Sequence, residues 1–205
     1  MQLFHRPTKV LITGASGCGK STYWTKLILG YPARTKFVFD HEGELQQRLG
    51  VRAATGSAGL AEGAAAGWCI YDPSRFRGDF EAAFNFFSEF AFEASGRLPG
   101  TKLFACDEIQ EFVGTRSIEV FLKRILQRGR RQGLDLVAVS QQPNELHNTM
   151  RAQFTEVVSF VQCEDRALEW LCAYGFQEPE LRASQPGQFI ARRRGALGET
   201  RGRVF

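Results

Sequence analysis

The apolar run Val10-Leu11-Ile12 leads into Gly14-Ala15-Ser16-Gly17-Cys18-Gly19-Lys20-Ser21, and the residues up to Leu29 then suit a helix. A strand, a G-x-x-x-x-G-K-[ST] loop and a helix in that order constrain the fold more than any other stretch, because together they open a parallel crossover. Glycines leave backbone N–H groups free to converge where side chains would block them. The helix start adds unsatisfied donors and the positive end of its dipole. This combination suits a nucleoside triphosphate with its metal. Gly14, Ala15, Ser16, Gly17, Cys18, Gly19, Lys20, Ser21 and Thr22 would line the nucleotide. Lys20 would bridge the β- and γ-phosphates, and the Ser21 hydroxyl would hold Mg²⁺.

Beyond the loop, short apolar runs alternate with helix-compatible segments, the pattern of a parallel α/β sheet. Strands are expected at residues 10–13, 36–39, 68–71, 102–106, 135–139 and 157–162, with one more near 188–191. Helices are expected at 20–29, 79–94, 117–130 and 164–173. Residues 53–67, rich in Ala and Gly, read as a loose loop around a short helix. On the 79–94 helix, Phe80, Phe84 and Phe87 share one face while Phe86 and Phe90 share another. Two apolar faces imply burial on two sides, either both within the chain or one against a neighbouring subunit. The 205 residues fit one domain, residues 1–205, with no repeat and no dividing linker.

A hydrophobic content of 43% and a charged content of 23% are those of a soluble globular chain. The net charge of +4 permits a polyanionic partner without requiring one. Five cysteines without a C-x-x-C spacing argue against a disulfide framework and against zinc. They read as reduced thiols. Cys18 and Cys106 adjoin the expected site, where they either fill space or make it sensitive to oxidation. No stretch approaches the ~18 apolar residues of a membrane span. Residues 1–7 carry no signal-peptide core, so the expected location is the cytoplasm.

The run Leu103-Phe104-Ala105-Cys106 ends in two acids, Asp107 and Glu108. Beside a phosphate loop, the first acid completes Mg²⁺ coordination and the second polarises the attacking water as a general base. The plainer alternative is a cap on the following turn. The run from Leu134 to Val139 ends in Ser140-Gln141. If that strand lies beside the 10–13 strand, the Gln141 amide stands where ligands of open α/β sheets bind and can sense the γ-phosphate. Otherwise it belongs to an ordinary turn before Pro143. Ahead of this strand, Arg128, Arg130 and Arg131 either form a solvated helix end or supply an arginine finger to an adjacent subunit. All these groups fall at predicted strand ends, read as one edge of the sheet.

The loop, the strand ending in Asp107-Glu108, and Arg130-Arg131-Gln132-Gly133 running into Ser140-Gln141 resemble the FtsK–HerA superfamily of DNA-pumping ATPases. In its small size the chain most resembles the genome-packaging ATPases of membrane-containing icosahedral viruses. The segment from Phe37 to Gly43, with Asp40 at the strand end, is similar to the superfamily's second strand. Asn144-Glu145-Leu146 and residues 154–165 resemble the stretch after its sensor strand, so the likeness runs from Lys9 to about Leu171. This chain has Gln141-Gln142 where many relatives carry Gln-Arg, which shifts weight to Arg128, Arg130 and Arg131, with Arg130 at the best-matching position.

The resemblance implies a RecA/FtsK-like P-loop NTPase fold with a mostly parallel central sheet flanked by helices. It implies ATP and Mg²⁺, with Lys20, Glu108 and Gln141 catalytic, Arg130 supplied by a neighbour, and Ser21 and Asp107 on the metal. The implied assembly is a homo-oligomeric ring, hexamer or pentamer, that threads double-stranded DNA without reading its sequence. Capsid vertex or portal proteins would be its docking partners, in the host cytoplasm or on the virion. Arg192-Arg193-Arg194, Arg201 and Arg203 would either line the channel or form a frayed basic tail. His41, Lys102 and Arg116 are further loop positions for such contacts.

Other readings stay open at this point. An ABC-type ATPase needs an L-S-G-G-Q-type signature and a GTPase needs [NT]-K-x-D; neither string occurs. A small-metabolite kinase has no use for the second acid. A HerA-like or filamentous-phage-assembly ATPase is closer, and a nucleotide-gated DNA-binding protein that hardly turns over is the reading from another class.

Overall fold

Apolar side chains occupy consecutive positions along most strands, so both faces of the sheet need covering, as parallel sheets require. The computed structural model describes residues 8–40, 43–196 and 198–205, without the side chains of Glu44 and Arg75. In chain order the elements are β1 (Lys9–Thr13), α1 (Lys20–Gly30), β2 (Thr35–Phe39), α2 (Glu44–Leu49), α3 (Ser57–Ala66), β3 (Trp68–Tyr71), α4 (Phe80–Ser95) and β4 (Lys102–Cys106). They continue with α5 (Val120–Arg128), β5 (Leu134–Ser140), α6 (Asn148–Gln153), β6 (Glu156–Ser159), α7 (Asp165–Tyr174), α8 (Glu178–Ala183), β7 (Gln188–Arg193) and β8 (Glu199–Arg203).

The eight strands form one sheet in the order β3-β2-β4-β5-β1-β6-β7-β8. The first six pair in parallel, and β7 and β8 join antiparallel. Leu11, Phe37, Phe104, Leu136 and Val157 face one layer, which holds α3, α4, α5 and α7. Their neighbours Val10, Ile12, Val38, Ala105 and Val137 face the other, where Trp24 and Ile28 of α1 and Leu45 of α2 pack. The expected α/β architecture, a mostly parallel sheet flanked by helices, is the one the chain adopts. Among the described residues no helix is long and apolar enough to cross a membrane.

Several boundaries differ from expectation, each for a local reason. Within residues 53–67, expected as a loop around a short helix, Ser57–Ala66 form the ten-residue helix α3, closed by Gly67 in the left-handed conformation. Gly63 lets that helix press on β3, since a Cβ there would stand 2.6 Å from the Trp68 carbonyl oxygen. The helix expected at 117–130 starts only at Val120, because the Glu119 carboxylate caps the Phe121 and Leu122 N–H groups. It tightens into a 3₁₀ turn at Gly129–Gln132. The strand expected at 157–162 stops at Ser159, because the backbone beyond it turns to meet the glycine-rich loop.

Both aromatic faces of α4 pack within the chain. Phe84 and Phe87 are wholly buried. Phe84 lies 5.2 Å from the Phe39 ring and stacks on Phe112, and Phe87 stacks on Tyr71. Phe86 and Phe90 sit half-buried against Tyr71 and Phe37. Phe80 alone of the five is exposed.

Candidate active site

Strand β1 delivers the loop. Its last residue, Thr13, accepts a hydrogen bond from the Gln162 amide at 3.0 Å, and the Ala15 N–H donates to the Val161 carbonyl at 2.8 Å. Gly14, Gly17 and Gly19 all have positive φ. At Gly14 no other residue fits, since a Cβ would stand 2.7 Å from Phe160 Cβ and 2.8 Å from Cys18 Sγ. Helix α1 then opens with Gly19 at its N-cap, no side-chain cap and no acid in its first turn. Its first N–H groups and its dipole are therefore free to meet an anion. Lys20, only 5% exposed, reaches back across the loop and donates to the Ala15 carbonyl at 2.9 Å.

The two acids follow β4. Cys106 pairs in register with Ala138, and Thr13 with Ser140, so Asp107, Glu108, Gln141 and the loop emerge at one edge of the sheet. Strand β5 stands between β4 and β1, so Gln141 leaves the sheet beside the glycine-rich loop. Among the described residues Glu108 is one of two non-glycine residues with positive φ, at 43°, a conformation that costs ~1–3 kcal/mol. Its Oε1 accepts from the Gln141 amide at 2.7 Å, and its Oε2 accepts from the Gln110 amide. The carboxylate is thus fixed by two neutral amide donors, one on each oxygen. Asp107 Oδ1 accepts the Glu108 N–H at 3.0 Å.

The residues fit a nucleotide with Mg²⁺. The uncapped helix start, the positive-φ glycines and Lys20 supply donors for phosphates. The Ser140 hydroxyl is fully buried beside Thr13 and has no hydrogen-bond partner. Among the described residues no three His, Cys, Asp or Glu side chains converge on one point.

Not every expected residue joins this edge. Arg130 sits in the turn before β5, at the opposite, amino edge, because residues preceding a parallel strand lie at its start. The reading of all the groups on one edge is corrected here. Arg130 lines a cavity of about 490 Å³ with Thr8, Lys9, Thr155, Arg193 and Arg194. Burial and the nearby Arg130 charge hold the Lys9 ammonium below its usual range. No acidic side chain among the described residues pairs with Arg128, Arg130 or Arg131.

The arginines near residue 193 are not a frayed tail. Arg192 pairs with Glu199 at 2.6 Å, Arg193 with the buried Glu156 at 3.4 Å, and Arg194 donates to the Ala152 carbonyl at 2.8 Å. Arg201 is likewise paired, with Glu180 and Glu199. Lys102 is buried at the start of β4, donating to the Leu98 carbonyl, and is no loop residue. Arg116 is exposed, and His41 lies outside the described residues. Asp40 is at the same edge as the loop but accepts the Gln46 N–H at 2.9 Å, which commits it to the start of α2.

Cys18 and Cys106 are buried space-fillers. Burial, followed by the charges of Asp107, Glu108 and Glu111, pushes the Cys106 thiol well up, and burial raises Cys18. Since the thiolate is the reactive form, native protein at pH 8 should be alkylated by iodoacetamide at the exposed Cys163 and Cys172. Peptide mass mapping checks this, and rapid labelling of Cys18 or Cys106 would contradict it. Gln110 and Gln162, which bond Glu108 and Thr13, were not among the expected site residues. A lone amide two residues from an acid carries no pattern that marks it.

No protein-family model and no curated protein matches the sequence. Solved structures do match over the whole chain. The genome packaging NTPase B204 from Sulfolobus turreted icosahedral virus 2, in complex with AMP, superposes with a TM-score of 0.72 at 17% identity, covering 97% of this chain and 98% of that one. The same NTPase matches in complexes with AMPPCP and with ATP-gammaS. VirB4 of Thermoanaerobacter pseudethanolicus gives 0.73 at 12% identity over 96% and 89% of the two chains. The type VII secretion ATPase EccC of Thermomonospora curvata gives 0.59 at 15% identity, covering 96% of this chain and 25% of that one. The fold is therefore the P-loop ATPase fold expected from the family resemblance.

Proposed function

We propose that this chain is an ATP-hydrolysing motor subunit that moves double-stranded DNA, packaging a viral genome into a preformed capsid. The observation that carries the reading is the Glu108 carboxylate, bonded to Gln141 across the strand beside the phosphate loop. A base fixed there serves attack by water, which kinases of small metabolites do not need. The full-length likeness to a genome packaging NTPase supports the DNA part.

In this reading, the N–H groups of residues 14–22 and the α1 dipole hold the phosphates. Lys20 exchanges the Ala15 carbonyl for the β- and γ-phosphates. Ser21 and Asp107 hold Mg²⁺, which neutralises charge developing on the phosphate oxygens. Glu108 takes the proton of the attacking water. Gln141, bonded to that base, registers whether the γ-phosphate is present. Arg130 reaches the site of an adjacent copy and stabilises the charge of the transition state. The assembly is a homo-oligomeric ring around DNA, with capsid vertex or portal proteins as its dock. Exposed arginines touch phosphates without reading bases, so DNA binding should weaken steeply with salt.

The test is phosphate release with and without linear double-stranded DNA. Wild-type protein should hydrolyse ATP faster with DNA. Lys20→Ala should lose ATP affinity by roughly 10- to 150-fold, the worth of charge-assisted hydrogen bonds. Wild-type turnover that ignores DNA would remove the packaging reading. It would favour an ATPase of the same fold that drives secretion, the second reading, which the likeness to EccC supports.

A further inference from the structure

We propose that the ring of Phe205 is the shelf on which the nucleobase stacks, a role that rests on the nucleotide reading above. The polarity of the site gives the direction. Asp107, Glu108 and Gln141 follow β4 and β5, on one flank of β1, while β6 and β7 lie on the other. A triphosphate in the loop directs its γ-phosphate at the acids and the attacking water. Its nucleoside end therefore leaves the loop over the β6–β7 flank.

On that flank the chain comes back to the loop. The Gly187 N–H, just before β7, donates to the Cys18 carbonyl at 2.9 Å. The Val204 N–H, just after β8, donates to the Gly187 carbonyl at 2.9 Å. The Lys26 ammonium of α1 donates to the Val204 carbonyl at 2.7 Å. These bonds fix Phe205 beside the phosphate loop. A Cβ on Gly187 would stand 2.9 to 3.1 Å from three of its ring carbons, so the ring covers the bare backbone of that glycine. A Cβ on Gly19, the N-cap of α1, would stand 3.2 Å from its edge. Two glycines thus make room for one aromatic ring. A Cβ on Gly19 would also stand 3.5 Å from the Phe160 ring, which packs with Tyr23 and Phe189.

The ring is nevertheless 66% exposed, more than any other exposed large hydrophobic side chain among the described residues. An aromatic face held open to solvent next to a phosphate site matches the flat, apolar face of a base. Stacking of a base on an aromatic residue contributes enough to change affinity by roughly 5- to 150-fold.

Binding of ATP and of inorganic tripolyphosphate, each with Mg²⁺, separates the base from the phosphates. Calorimetry on the full chain should give Phe205→Ala a loss of roughly 5- to 150-fold for ATP. Tripolyphosphate should bind that variant as it binds wild type, which also certifies its fold. Phe205→Trp should keep ATP affinity, and its added indole fluorescence should respond to ATP but not to tripolyphosphate. Unchanged ATP affinity in Phe205→Ala overturns the shelf while leaving the nucleotide reading intact. Equal losses for both ligands also overturn it, making Phe205 a prop for the loop. Wild-type protein that binds neither ligand overturns the nucleotide reading, and the shelf with it.

Discussion

Glu108→Gln should slow ATP hydrolysis by ~10²–10⁴-fold, the worth of a positioned general base, while ATP affinity stays within a few-fold of wild type. The substitution keeps shape and removes charge. Both oxygens of Glu108 accept from amides, those of Gln141 and Gln110. A glutamine at 108 offers one acceptor and one donor, so one of the two neighbouring amides must turn over to stay bonded, which a free amide does at little cost. The backbone at 108 is left-handed in either case. The expected phenotype is a subunit that binds and holds ATP. Single-turnover phosphate release, read beside equilibrium binding, separates this from a folding defect. Near-normal turnover would move the base elsewhere, with Glu111 the next acid along the chain.

Arg130→Ala should lower turnover further, by ~10³–10⁵-fold, with ATP affinity kept. The seven residues of β5 separate Arg130 from the edge that carries the loop, a span of ~20 Å that no side chain bridges. If Arg130 acts in hydrolysis, it acts on the site of another copy. Mixing tests this directly. Arg130→Ala subunits have an intact loop and base, and Glu108→Gln subunits have an intact arginine. Mixtures should regain part of the activity that each lacks alone. Full DNA-stimulated turnover by Arg130→Ala would exclude the trans role, and failure of mixtures to recover would confine the defect to its own subunit.

How much of this was legible in the sequence depends on the kind of signal. The six parallel strands are continuous apolar runs, because both of their faces are buried, and such runs stand out between helical segments. The loop is legible because its glycines are sterically required. Strand β8 is not, since Glu199-Thr200-Arg201-Gly202-Arg203 has no apolar alternation and is set by pairing with β7 at the sheet edge. The six-residue helices α2, α6 and α8 are too short to display a period. The edge on which Arg130 falls was available from chain direction alone, and reading all the groups onto one edge overlooked it. The left-handed turn at Glu108 was not available, as glutamate rarely adopts it. Phe205 reaches the loop only through the return of β8, so no local pattern announces it.

The order of strands in the sheet also sets a timetable for synthesis. Strand β1 emerges first, yet its two partners are β5 and β6. The hydrogen bond from Thr8 to Asp135 spans 127 positions, and that from Lys9 to Thr155 spans 146. Until those late segments leave the ribosome, the strand that carries the glycine loop has no neighbour to pair with. Contacts of such long range close slowly, on the millisecond-to-second scale typical of non-local sheets. The earliest-made of these strands is therefore among the last to be seated, and a nascent chain can complete β2, β3 and β4 well before the glycine loop is in place.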